Sequence, residues 1–228
     1  MTHESSIVLT ASAARLLGAL MEKEATTPEY YPLSLNALLN ACNQRSNREP
    51  VMELDEEEVR QALRQLTEMR LAGQARGAEG RVAKYEHWLG ERLNLTRAES
   101  ALLCMLLLRG PQTVGELRGR TERIHRFDEI ADVVAGLQRL MEREPALAGM
   151  LARQPGNKEP RYAHLLAGEI DSRSVSTGRM EAQPNPVAMD QNRDHDHDQN
   201  RIEALEAIVH KLTQEVEALR QRIDSLLG

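Results

Sequence analysis

The chain has 228 residues, a net charge of −6 and two cysteines, and its longest apolar run, residues 101–108, is far too short to cross a bilayer. Cys42 and Cys104 lie in no metal-like or redox spacing and the first residues have no signal-peptide pattern, so we expect a soluble cytoplasmic protein with buried, reduced thiols. Residues 1–92 carry 11 basic and 14 acidic side chains and residues 93–170 carry 11 and 10, a balance that excludes a strongly basic nucleic-acid domain.

The sequence contains an internal repeat of about 75 residues, the length of a small domain. The matched pairs are Leu9-Thr10 with Leu95-Thr96, Tyr85 with Tyr162 and His87 with His164. We therefore predict two domains, residues 1–92 and residues 93–170. Recurrence of the tyrosines and histidines at one position favours packing against the helices over a catalytic role.

The first copy has three helical segments followed by a hairpin. Apolar spacing predicts a helix at residues 10–24 capped by Thr10, a short helix at residues 35–42, and a third at residues 55–70. Two strands with a turn at residues 77–80 follow, and Val82 and Tyr85 lie in the second strand. This order is that of a winged helix, a helix-turn-helix variant.

The second copy repeats this order, with helices predicted at residues 96–109, 113–121 and 128–143 and a hairpin turning at residues 155–158. Three capping boxes mark helix starts, at Asp55/Glu58, Thr96/Glu99 and Thr113/Glu116. One apolar stripe is expected along the last helix, formed by Ile130, Val133, Val134, Leu137, Leu140 and Met141. The predicted fold class is mainly α with small β-hairpin wings (α+β), as two tandem winged-helix domains.

Residues 171–200 are rich in Ser, Asp, Asn, Pro and Gln and predict a flexible, disordered linker. Alternating Asp and His at residues 194–198 could hold a divalent metal weakly, but a solvated polar tract is the favoured interpretation. We predict no metal and no cofactor.

Residues 201–228 follow a heptad pattern with β-branched residues at a and leucine at d, which favours a parallel two-stranded coiled coil. The predicted dimer interface is Ile202, Leu205, Val209, Leu212, Val216, Leu219, Ile223 and Leu226. Alternatively this helix lies back on its own domain, since Ile208 widens the apolar stripe. The favoured prediction is a homodimer.

A winged helix usually presents the start of its third helix to DNA bases. In this chain both third helices start with carboxylates, at residues 55–58 and at Asp128, Glu129 and Asp132, which disfavours that docking. Basic residues in loops and wings offer a phosphate-binding alternative. The nucleic-acid-binding candidates are Arg45, Arg48, Arg76, Arg81, Lys84, Arg118, Arg120, Arg123 and Arg126, with His125 beside the last two.

No nucleotide-binding glycine motif, phosphate loop, HExxH or CxxC pair is present, so we expect no catalytic residues and no enzyme. Residues 26–36, residues 41–52 (ACNQRSNREPVM), and residues 106–110 and 115–118 closely resemble the YceH family of uncharacterised bacterial proteins. The resemblance covers nearly all of residues 8–168. It implies a tandem winged-helix fold and brings no established activity, ligand or catalytic residues.

Within the distinctive run, Asn43, Gln44 and Asn47 are loop candidates for function, because residues 43–49 are rich in amide and arginine groups and contribute nothing apolar to a core. The alternative is that these amides only satisfy backbone groups. Two functions remain open. The first is a DNA-binding regulator or accessory factor that uses basic loops and wings on double-stranded DNA. The second is a protein-interaction scaffold without DNA contact, similar at the level of fold to the accessory subunit of bacterial condensin.

Overall fold

A computed structural model of the chain describes residues 7–75, 82–152 and 159–167. The first half contains α1 (Ala11–Thr26), β1 (Leu33–Ser34), α2 (Leu35–Cys42), α3 (Glu56–Glu68), β2 (Ala72–Gln74) and β3 (Lys84–His87). The second half contains α4 (Leu89–Arg92), α5 (Arg97–Arg109), α6 (Val114–Thr121), α7 (Ile130–Met141), β4 (Ala148–Met150) and β5 (Tyr162–His164). A mainly helical α+β fold with small antiparallel sheets is thus confirmed. The predicted linker (171–200), coiled coil (201–228) and hairpin turns (77–80, 155–158) lie outside the described residues.

The helices begin where the sequence supplies caps. Thr10 accepts a hydrogen bond from the Ala13 N–H at 3.2 Å. Reciprocal capping boxes are confirmed at the starts of three helices, Asp55/Glu58 at α3, Thr96/Glu99 at α5 and Thr113/Glu116 at α6. Helix α7 begins at Ile130, two residues after the predicted start, because the Glu129 N–H donates to Asp132 Oδ2 at 3.1 Å and makes Glu129 the cap.

The internal repeat is visible in the register of the strands. In the first half β2 and β3 pair so that His87 lies opposite Ala72, and Tyr85 lies opposite Gln74 and Leu33. The equivalent pairs in the second half are His164 with Ala148, Tyr162 with Met150, and an isolated bridge between Tyr162 and Gln112. Both tyrosines therefore occupy the same position, as the packing interpretation expects. The sequence did not predict β1, because it is only two residues long.

The two halves share one core, whereas the sequence analysis expects a core in each. Helix α1 packs directly on α5, and Gly18 lies at their contact, where an added Cβ would come within 2.9 Å of Leu108 Cγ. Cys104 Sγ donates to the Gly18 carbonyl at 3.4 Å. The halves join because α1 and α5 are apolar on more than one face, so each covers its own half and the other.

Backbone hydrogen bonds also join the halves, and one of them is from the Glu49 N–H to the Leu108 carbonyl at 2.9 Å. The Leu9 N–H donates to the Leu166 carbonyl at 2.6 Å, which pairs the start of the first half with the end of the second. Within the second half, Arg143 donates to the Leu93 carbonyl at 2.6 Å and lies 3.5 Å from Glu99. Burial raises the pKa of Glu99, but Thr96 hydrogen bonds and the nearby guanidinium groups outweigh burial and hold this pKa below its usual range. In the described ranges no helix is long and apolar enough to cross a membrane.

The half-buried His164 predicts a loss of stability in acid. Burial lowers the pKa of His164 to about 4, and its Nδ1 atom has no hydrogen-bond partner in the described part of the chain. The unfolded chain, with a histidine pKa of about 6.5, takes up the proton first as the pH falls. We expect the free energy of unfolding to fall by about 3 kcal/mol from this group between about pH 6.5 and pH 4. Urea unfolding of the wild type and of His164→Gln at several pH values in this range measures the change. If the free energy of unfolding depends on pH equally in both proteins, His164 is not the group responsible.

Candidate nucleic-acid interface

Arg48, one of the nucleic-acid-binding candidates, is a buried structural residue. Its side chain is 0% exposed, and its guanidinium donates to both carboxylate oxygens of Glu22, at 3.2 and 2.6 Å. The same group donates to the Ala41 carbonyl from Nε at 3.1 Å and from Nη2 at 2.9 Å. The prediction that Arg48 meets phosphate is therefore corrected: its donors are already used within the fold, and it is out of reach of a ligand.

A second buried arginine fixes the ends of the same loop. Arg15 of α1 is 2% exposed, and it donates to the Cys42 carbonyl at 3.3 Å and to the Pro50 carbonyl at 2.6 Å. Burial, assisted by the neighbouring Arg48, lowers the pKa of Arg15. Burial also raises the pKa of Cys42 to about 12, so this thiol is a poor nucleophile at neutral pH. The distinctive run at residues 41–52 is thus explained largely by a loop closed over buried guanidinium groups.

The three amides of the loop have different partners. Asn43 makes two hydrogen bonds with the backbone of Leu54. Its Nδ2 donates to the Leu54 carbonyl at 2.7 Å, and its Oδ1 accepts from the Leu54 N–H at 2.8 Å. Gln44 Oε1 accepts from Arg48 at 3.1 Å. Asn47 has a φ of 59°, a conformation that asparagine tolerates better than most residues, and its Oδ1 accepts from Arg109. Asn43 therefore has the backbone-supporting role, and only Asn47 reaches the other half.

The contact between Asn47 and Arg109 brings two basic segments of the sequence together. Arg109 ends α5, and burial together with the nearby Arg120 lowers its pKa. Arg120 donates to Gln112 at 3.0 Å and lies 3.5 Å from Glu116. Glu116 also pairs with Arg161 at 3.1 Å. We call Asn47, Arg109, Glu116, Arg120 and Arg161 the junction surface, where Arg120 and Arg161 share one carboxylate and Arg109 lies near Arg120.

The remaining nucleic-acid-binding candidates differ in their exposure and in their intramolecular partners. Arg45 and Arg123 are exposed and form no ion pair within the described residues. Arg126 is exposed and lies 3.8 Å from Asp128. Arg118 donates to the Phe127 and Asp128 carbonyls, at 3.3 and 2.7 Å, and so holds the connection between α6 and α7. Lys84 is exposed on β3, whereas Arg76 and Arg81 lie outside the described residues.

The third helix of the first half presents a neutralised face. Arg60 pairs with Glu56 at 2.5 Å, and Arg64 pairs with Glu57 at 2.8 Å, all four side chains being largely exposed. A shallow groove of about 370 Å³ lies between this helix and β3; its lining is Arg60, Leu63, Arg64, Thr67, Glu68 and Tyr85. Each arginine is balanced by a carboxylate of its own helix, so these four side chains add no net positive charge that would attract phosphate.

Comparison with known proteins shows which family the chain belongs to. A family model described as a protein of unknown function, DUF480, matches residues 9–157. The chain belongs to the DUF480 family. UPF0502 proteins of Koribacter versatilis and Pelobacter propionicus are 52% and 51% identical to it, over 97% of this chain and 98% of each relative. The UPF0502 protein YceH of Salmonella paratyphi C is 44% identical over 96% of both chains, so the resemblance to the YceH family is confirmed.

Sequence reasoning about this DUF480-family chain missed Arg15, Glu22, Arg109 and Gln112. Gln112 is 0% exposed and donates to the Met105 carbonyl at 2.9 Å. The repeat could have indicated this burial, because Gln112 directly precedes the Thr113 cap of α6 just as the buried Leu33 directly precedes the Ser34 cap of α2. Within residues 7–75, 82–152 and 159–167, no three His, Cys, Asp or Glu side chains converge on a common metal position. The Asp/His tract at residues 194–198 lies outside that part of the chain.

Proposed function

We propose that this protein is a DNA-binding regulator or accessory factor, without enzymatic activity, that holds duplex DNA through phosphate contacts. The binding region is the junction surface together with the exposed Arg45 and Arg123. Its framework is a pair of winged-helix units that share a core. Each half has three helices followed by a two-stranded ribbon, and the β1 pairing with Tyr85 in the first half is matched by the Gln112 bridge to Tyr162 in the second, which supports this framework.

The observation that carries the proposal is the Asn47 to Arg109 hydrogen bond. It fixes the loop that bears Arg45 against the end of α5, beside Arg120. Arg45 is two residues before Asn47 and Arg123 is three residues after Arg120, so the proposal takes their positive charges to add to those of this region. Guanidinium groups that are exposed or half-exposed can exchange weak intramolecular partners for phosphate oxygens. Such contacts give salt-dependent binding with little sequence preference.

The test is binding of the full-length protein to a random-sequence 30-base-pair duplex, followed by fluorescence anisotropy at several salt concentrations. A triple variant, Arg45→Ala/Arg120→Ala/Arg123→Ala, removes three side chains of the proposed region and spares Arg48 and Arg109. We expect binding that weakens steeply with salt, and a slope of log K against log salt that is smaller in the variant by about 2 to 3.

A matched variant, Arg60→Ala/Arg64→Ala/Arg97→Ala, removes the same charge from other exposed helical positions. The proposal expects its salt slope to stay close to that of the wild type. An equal loss in both variants would mean that only net charge matters, and would contradict the assigned region. No binding of the wild type at low salt would remove the DNA proposal.

The second candidate function is a protein-interaction scaffold without DNA contact. The neutralised α3 face favours it, because the positions that usually read bases are paired with carboxylates. Absence of DNA binding at low salt would support this alternative. In either case we propose a cytoplasmic homodimer formed by residues 201–228, a prediction that falls outside the described residues.

A further inference from the structure

The outward side of α7 carries exposed apolar residues at positions where α3 carries charged ones. Ile130 is 52% exposed and Val134 is 41% exposed, although the sequence pattern predicts both within the buried stripe. They lie one turn apart, and the partly buried Met141 continues their row two turns further on. Ala131 and Ala135 are exposed beside them. The buried side of the helix is formed instead by Val133, Gly136, Leu137 and Leu140.

The internal repeat supplies a control for this face. Val59 of α3 corresponds to Val133 of α7, so Ile130 and Val134 correspond to Glu56 and Arg60. Met141 corresponds to Thr67, and the 61% exposed Met150 corresponds to Gln74 because each lies opposite the matched tyrosine. The same fold therefore accepts charged or polar side chains at all four positions. Met141 also packs against the core, but folding alone does not explain the exposed apolar side chains of Ile130, Val134 and Met150.

We propose that this face, Ile130, Val134, Met141 and Met150, is a docking surface for a short amphipathic helix of another protein, with basic residues beside its apolar side. The charges around the face set the chemistry of the partner. Asp128, Glu129 and Asp132 surround the start of α7, and Glu142 follows its end. The basic groups at the two ends and side of α7 include Arg126, 3.8 Å from Asp128, and Arg139 and Arg143, 3.4 and 3.5 Å from Glu99, so each already faces a carboxylate.

The size of the face favours a helix over a second copy of this chain. A stable dimer interface needs roughly 800 Å² from each partner, supplied by about 20–30 residues. Four apolar side chains on one 12-residue helix and the adjoining strand fall well short of that. An amphipathic helix that uses i, i+3, i+4 and i+7 anchors needs only such a strip. The chain's own heptad segment has 4 basic and 5 acidic residues and offers no charge complementarity. The inference stands whether or not the junction surface binds DNA.

The experiment uses the full-length protein and a fluorescent 18-residue synthetic peptide, with leucines spaced three and four apart and lysines elsewhere. Fluorescence anisotropy gives its dissociation constant for the wild type and for Ile130→Glu/Val134→Arg. This variant installs the residues of the first half at equivalent positions and leaves the net charge unchanged. We expect it to bind the peptide at least about tenfold more weakly, because two apolar contacts are lost.

The control is Val51→Glu/Val82→Arg, which makes the same chemical changes at two other exposed valines, 51% and 61% exposed. Its affinity should stay within about twofold of the wild type. Equal weakening in both variants, or equal binding of a peptide with serine in place of leucine, would overturn the proposal. So would sedimentation showing that Ile130→Glu/Val134→Arg changes the association state of the chain, since the face would then pair two copies.

Discussion

Replacing Arg48 with alanine should lower the free energy of unfolding by about 3–5 kcal/mol, the usual cost of breaking a buried ion pair by removing one partner. The Glu22 carboxylate, whose side chain is 12% exposed, would lose its bidentate partner. The Ala41 carbonyl would lose two donors at the same time. Urea unfolding followed by far-ultraviolet circular dichroism measures the change.

Arg45→Ala is the matched control, because Arg45 lies three residues away in the same loop and is exposed. Its effect should stay within about 0.5 kcal/mol. Adding Glu22→Ala to Arg48→Ala should cost less than the sum of the single changes, since the unpaired carboxylate is then removed. A loss below about 1 kcal/mol for Arg48→Ala would show that the guanidinium is not needed for folding.

This difference between neighbouring arginines also decides how DNA binding is tested. A variant that includes Arg48 would unfold part of the chain and lose DNA binding for that reason alone. Arg109 carries a similar risk, because its guanidinium holds Asn47. Arg45, Arg120 and Arg123 can be changed without removing a buried ion pair, so a change in salt slope reports on phosphate contacts.

Local signals in the sequence predicted the helix starts well. A capping box needs only the cap residue and the residue three positions later, so Asp55/Glu58, Thr96/Glu99 and Thr113/Glu116 can be found without the fold. The repeat predicted the register of the tyrosines for a similar reason, since equivalent sequences adopt equivalent strands. Neither signal contains information about which surfaces meet.

Burial that comes from distant segments could not be predicted in this way. Arg15 lies off the apolar stripe of α1, and it is buried because residues 42–50 close over it. Arg48 looked like a free loop arginine because its partner Glu22 is 26 residues away. Ile130 and Val134 follow helical spacing but lie on the outer side of α7, and periodicity alone does not say which side of a wide stripe meets the core.

Gly18→Val should destabilise both halves together, by about 2–3 kcal/mol, because overpacking of a tight helix contact forces shifts in side chains and backbone. An added Cβ at Gly18 would lie 2.9 Å from Leu108 Cγ and 3.1 Å from Leu107 Cβ; the Leu107 Cβ moves only with α5, and the Leu108 side chain is fully buried. Since α1 and α5 belong to different halves, the strain acts on the shared core. The measurement is thermal unfolding of the full-length chain followed by near- and far-ultraviolet circular dichroism.

Gly119→Val is the matched control, because Gly119 is also within a helix but has nothing within 4 Å of an added Cβ. Its effect should stay within about 0.5 kcal/mol, since glycine and valine differ little in an exposed helix. A single shifted transition for Gly18→Val would support one cooperative core. Separation into two transitions, with only one of them shifted, would instead mean that the halves unfold independently and that the α1 and α5 contact adds little to either.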